Sequence, residues 1–192
     1  MEKDLPEIID TEKSLHELCK NSIDLIEYAR GIAAKQINII QLMTFYSIGK
    51  WIVEEQQQGE SRARYGQRVI KRLSEALTEQ YGRGFSVDTL ENARRFFLTY
   101  QDRISETVFR KFAVEKSETV FSLFEKESPF TLPWSHYLQL MRIKDENERK
   151  FYEIEATNEA WGIRTLQRQY NSSLYERLAL SREKEEVMRL AS

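Results

Sequence analysis

The chain has 192 residues, of which 41% are apolar, 11% aromatic and 31% charged, with only 7 Gly and 3 Pro. That composition fills a core but is too poor in chain breakers for an all-β protein, so it predicts helices. The net charge of −2 hides a split, with residues 1–60 at −5, 61–103 at +4 and 104–192 at −1; the basic surplus is too modest for a strongly cationic nucleic-acid binder.

The acidic N-terminus "MEKDLPEIID" lacks the apolar region of a signal peptide and reads as a flexible tail over 1–10. A helical pattern follows from about Thr11 to Arg30, with Leu15, Leu18, Ile23, Ile26 and Ala29 near one face. The single cysteine, Cys19, excludes an intrachain disulfide and sits on that stripe, where it is expected as a packed thiol. Gly31 either breaks or weakens the helix. A second pattern over 32–58 is apolar on more than one side, through Ile37, Ile40, Ile48, Trp51 and Val53. A helix with so broad an apolar surface must be buried in the domain or in a dimer, which predicts self-association through 37–53.

A third helix, "YGQRVIKRLSEALTEQYG", repeats Ile70, Leu73 and Leu77 at helical spacing and stops at Gly82, which suits a left-handed cap. After the Arg83-Gly84 turn, Ser86 is the expected N-cap of a fourth helix, with Phe85 and Leu90 spaced as a hydrophobic staple. Its core stripe reads Leu90, Ala93, Phe97 and Tyr100. Residues 101–132 predict one or two short helices and a loop. A short helix capped by Ser135, another opened by Asp145 with Glu148 three residues on, a "WG" turn and a last helix on Ile163, Leu166, Tyr170 and Leu174 complete the chain. Residues 11–192 thus form an all-α multi-helix bundle with helix-turn-helix or winged-helix-like elements and little or no strand. Sub-units at 11–100 and 133–192, joined by 101–132, are possible within it. No apolar run approaches the ~20 residues that span a bilayer, so a cytoplasmic chain without membrane contact is expected.

Catalytic chemistry finds little footing. His16 and His136 lack partners at metal-ligand spacing, Gly82-Arg83-Gly84 lacks the form of a phosphate loop, and Glu148-Arg149-Lys150 lies in a capped helix and reads as a solvated face. No catalytic residue, metal ligand, cofactor or small-molecule ligand is assigned.

Two helix-turn-helix candidates remain. In the first, over 68–99, the outward face of the second helix shows Asp88, Glu91, Asn92, Arg95 and Thr99, with Arg94 on the flank. Arginine and asparagine suit base edges, whereas Asp88 and Glu91 repel phosphates and Glu91 is spaced to pair with Arg95. The second, over 158–175, exposes Arg164, Thr165, Arg168, Asn171, Ser172 and Tyr175, with no acidic residue between Glu159 and Glu176. Adding the basic positions before the first candidate gives a nucleic-acid-binding set of Arg64, Arg68, Arg83, Ser86, Asn92, Arg94, Arg95, Arg164, Thr165 and Arg168.

Three long stretches carry a resemblance: "IGKWIVEEQQQGESRARYGQRVIKRLSEALTEQYGRGFS", "PWSHY" and "ERKFYEIEATNEAWGIRTLQRQYNSSLYERLALSR". Together they resemble the N-terminal domain of the YhcG family, assigned as PDDEXK nucleases, over roughly residues 12–190. The resemblance implies a helical domain ahead of a C-terminal nuclease domain, with DNA as partner in recombination, repair or defence. The nuclease domain would begin where this chain stops, so its metal-binding acids map to no residue here, and a divalent metal is expected only for that missing domain. Gly162 stands where a capping serine is expected. The reading that follows is a DNA-binding and positioning domain, forming a homo-oligomer. The alternative is a protein-interaction or dimerisation module built on the aromatic helix around Phe45, Tyr46 and Trp51.

Overall fold

The computed structural model describes residues 5–57, 62–116 and 129–181, with side chains from residue 13 in the first segment and from 66 in the second. It is all-α, with no strand among the described residues. Helix α1 (Leu5–Gln57) begins inside the stretch expected as a tail and runs unbroken through Gly31. One helical glycine costs about 1 kcal/mol against alanine, too little to stop so long a helix. Helices α2 (Arg62–Tyr81) and α3 (Val87–Tyr100) follow, then a 3-10 turn (Gln101–Arg103) and α4 (Glu106–Phe109), which continues as a π-turn (Arg110–Val114). The last part holds α5 (Trp134–Leu140), α6 (Glu146–Asn158), α7 (Ile163–Asn171) and α8 (174–181).

The chain divides into two compact units, Met1–Asn38 and Ile39–Ser192. In the second, residues 39–100 and 133–175 share one core, centred on Phe96. The Phe96 ring meets Phe130 at 4.8 Å, Trp134 at 5.2 Å and Tyr137 at 5.3 Å between centroids. Such tilted and edge-on aromatic pairs add to what area burial alone contributes. The inner residue of α3 is therefore Phe96; Phe97, placed on the stripe by spacing, is only half-buried. A smaller cluster of Ile52, Ile70 and Leu90, flanked by Phe85, joins α1, α2 and α3.

The caps follow the local sequence closely. Ser86 Oγ accepts from Thr89 N at 3.2 Å, Asp145 Oδ1 accepts from Glu148 N at 2.7 Å, and Gly82 takes φ 77°. The start of α5 differs: Pro133 holds the N-cap position, and Ser135 lies inside the first turn.

Two expectations about α1 change. Cys19 is exposed rather than packed. Of the apolar residues over 37–53, the domain core takes Ile39, Leu42, Met43, Phe45, Tyr46 and Ile52, leaving only Ile37, Ile40 and Trp51 bare among the large ones. That segment is an internal core helix.

Candidate nucleic-acid interface

Cations are available to a polyanion only where no carboxylate already holds them, and several arginines of this chain are already held. Arg103 is the most committed. It forms two 2.6 Å bonds to Glu153, whose carboxylate also accepts from Tyr137 Oη at 3.0 Å, and its guanidinium lies 4.4 Å over the Tyr100 ring. Burial works against the charge of Arg103, but the Glu153 carboxylate outweighs it and raises the guanidinium pKa. This pair ties the 3-10 turn after α3 to α6 and leaves the Arg103 charge held by a carboxylate. The Glu148-Arg149-Lys150 string is divided in the same way: Arg149 donates to Ile143 O, Lys150 pairs with Glu146, and burial with Glu176 and Asp145 raises the Glu148 pKa.

On α3, Arg94 pairs with Glu91 at 3.6 Å, so the carboxylate takes the residue three positions on rather than Arg95. Arg94 Nε is buried with no hydrogen-bond partner. Arg95 is exposed and makes no ion pair among the described residues, and Asn92 is half-buried. Ser86 spends its hydroxyl on capping α3, so its place in the binding set reduces to fixing the helix start. Arg83 stands exposed in the turn between α2 and α3.

On α2, Arg68 is joined by two residues that sequence reasoning missed. Arg68, Lys71 and Arg72 line a cleft of about 710 Å³ between α2 and the end of α1, with Glu55 and Glu75 on its walls; Glu75 already pairs with Lys71 at 4.0 Å. Their i, i+3 and i+4 spacing was the signal that could have found them. The Arg64 side chain lies outside the described residues.

On α7, Leu166 is fully buried and sets the helix rotation, which turns Arg164 and Arg168 to solvent and leaves Thr165 half-buried. Neither arginine has an ion pair among the described residues. Tyr152, fully buried on α6, holds the end of α7: its hydroxyl donates to Gln169 O and accepts from Tyr175 N. His136, also buried, sits 2.8 Å from Trp161 O through Nε2 and braces the turn before α7. Both α3 and α7 pack on α5, so the two arginine-bearing helices hang from one short support. Short turns join α2 to α3 and α6 to α7.

Among the described residues no group of three or more His, Cys, Asp or Glu is placed to hold a metal ion, and no helix is long and apolar enough to cross a membrane.

Comparison with known proteins places the chain in a family. The chain is 35% identical over 177 residues to the Escherichia coli (strain K12) protein titled "Putative nuclease YhcG", covering 86% of this chain and 47% of that protein. It therefore spans about half the length of the curated relative it matches. No solved structure matches it. The model of the DUF1016 N-terminal domain matches residues 22–177, and the chain belongs to that family.

Proposed function

We propose that this chain is the DNA-binding and positioning domain of a nuclease, acting in the cytoplasm in recombination, repair or defence. The observation that carries the reading is the exposed face of α7, where Arg164 and Arg168 have no ion pair among the described residues, on a stretch of sixteen residues without a carboxylate. The unpaired Arg95 on α3 and the Arg68–Arg72 cleft on α2 extend the same chemistry. Guanidinium groups held at fixed spacing on helices favour phosphate oxygens, and counterion release supplies the affinity. The nuclease title of the E. coli relative makes DNA the natural polyanion. The domain has no catalytic group of its own in this reading; it brings a nuclease to its substrate. The direct test is binding of this chain to labelled duplex, single-stranded and branched DNA at low salt. Binding to at least one form, weakened by Arg164→Ala with Arg168→Ala, supports the reading; no binding to any form at 50 mM salt sinks it.

A second reading, self-association, is favoured by a different observation, the bare apolar residues of the first unit.

A further inference from the structure

The first half of α1 leaves seven large apolar side chains, Leu15, Leu18, Ile23, Leu25, Ile26, Tyr28 and Ile32, between 45% and 68% exposed. All but Ile23, which falls at position b, lie at the a, d, e and g positions of a heptad. With Leu15 at position a, the a and d series runs Leu15, Leu18, Ser22, Leu25, Ala29 and Ile32. Position e holds Cys19 and Ile26, and position g holds Asn21 and Tyr28. Every charged residue from 13 to 30, namely Lys13, Glu17, Lys20, Asp24, Glu27 and Arg30, falls at b, c or f, away from the seam. The same register continues into Ile39, Met43 and Tyr46, which are buried in the domain core. Positions that the second unit covers are bare in the first.

We infer that the 15–32 face of α1 is a docking surface for the same face of a second copy of this chain, packed antiparallel. The inference rests on the self-association reading and gives it a surface.

Area and layer chemistry identify the occupant. Side chains of this size, about half bare, present on the order of 100 Å² each, so six supply about 600 Å² per copy and about 1,200 Å² for the pair, the lower edge of a specific interface. In a parallel pair, identical residues face each other, so Ser22 and Ala29 each meet themselves and leave gaps between leucine layers. In an antiparallel pair Leu15 faces Ile32, Leu18 faces Ala29 and Leu25 faces Ser22 of the other copy. Large residues then meet small ones in two of three kinds of layer, which is how facing helices interdigitate without voids. The flanks bring Cys19 beside Ile26 and Asn21 beside Tyr28, so no like charges are pressed together.

The test uses the whole chain at tens of micromolar, with mass from light scattering after size exclusion. The wild type is expected as a dimer, and Leu18→Glu with Leu25→Glu as a monomer whose circular dichroism melt still shows the folded second unit. The register has its own test. Ile26→Cys puts a thiol opposite Cys19 of the other copy, so mild oxidation should give a disulfide-linked dimer. The wild type should not crosslink, because two Cys19 residues in this register lie roughly 13 Å apart along the axis, at 1.5 Å rise per residue. A monomeric wild type overturns both self-association and the surface. A dimer that survives the glutamate pair overturns the surface while leaving self-association standing. A dimer lost with the glutamates, but without the mixed disulfide, overturns the antiparallel register.

Discussion

Helices α1 and α3 meet at Gly49, and a single methyl group there tests the packing that carries the arginine helices. A Cβ at Gly49 would lie 2.2 Å from Ala93 O, 2.8 Å from the Ala93 carbonyl carbon and 3.0 Å from Phe97 Cβ. Ordinary contact begins at 3.4 Å, and the two closest atoms are backbone, so no rotamer change relieves them. The helices must separate by more than an ångström, which loosens the edge-on contact of Tyr46 with Phe97, now 5.2 Å between ring centroids. Overpacking of a tight core costs about 1–3 kcal/mol, and the immovable neighbour puts Gly49→Ala at the upper end. The better helix propensity of alanine offsets about 1 kcal/mol. The net loss is about 2 kcal/mol, which lowers the thermal midpoint by about 4–8 °C for a chain of this size. Gly31→Ala is the control, since nothing lies within 4 Å of its Cβ position; there only the propensity gain remains, and α1 becomes more helical. Circular dichroism melts at 222 nm measure both. A Gly49→Ala protein that melts at or above the wild type would refute the close approach of α1 and α3.

Other outcomes follow from the same packing. Glu153→Gln leaves the partly buried Arg103 without its carboxylate and should cost about 3 kcal/mol in urea unfolding, the lower end for breaking a buried pair because Arg103 keeps some solvent; a loss under about 1 kcal/mol would show that the pair is solvated. Ala160 ends α6 at φ 49° with Trp161 N donating to Ala156 O, so Ala160→Gly should stabilise by about 0.5–1 kcal/mol, read as a higher urea midpoint; destabilisation would contradict the left-handed cap. Burial, with Asp102 and Glu106, pushes the Tyr46 phenol up to about 12, and burial raises Tyr100 and Tyr137 further. The unfolded chain releases these protons near pH 10, before the folded one does. The stabilisation they contribute is therefore complete below pH 10 and declines as pH rises from 10 through about 12. Absorbance at 295 nm should show a group of tyrosines that ionise only as the fold is lost, and a single titration near pH 10 would contradict it.

What the sequence disclosed was mostly local. Ser86, Asp145 and Gly82 act within a few residues of themselves, so their roles could be read from spacing and held in the structure. The all-α class followed from composition for the same reason. Partners distant in sequence were not legible. Arg103 and Glu153 are 50 residues apart, and nothing local marks them as a pair. Phe96 and Phe97 are adjacent on α3, and only the positions of Phe130, Trp134 and Tyr137 decide which turns inward. Cys19 shared its stripe with true core positions further along α1, but amphipathicity says that a face is apolar and not what covers it. The choice of Arg94 by Glu91 left Arg95 free, a detail of rotamers that periodicity does not contain. The exposure of Arg164 and Arg168 on α7 was legible because it follows from local spacing around Leu166 in a run of sequence without acids.

The central claim is that unpaired arginines on α3 and α7 hold DNA through its phosphates, and a salt titration of duplex binding by fluorescence anisotropy tests it most directly. Each phosphate contact contributes about −0.9 to the slope of log K against log salt. The account predicts a shallow slope for the wild type, and a slope about one contact smaller for each of Arg95→Ala and Arg168→Ala, with weaker binding in both and the weakest in the pair. Affinity and slope unchanged in the double variant at low salt would contradict it, and would leave the two helices as supports for a protein interface.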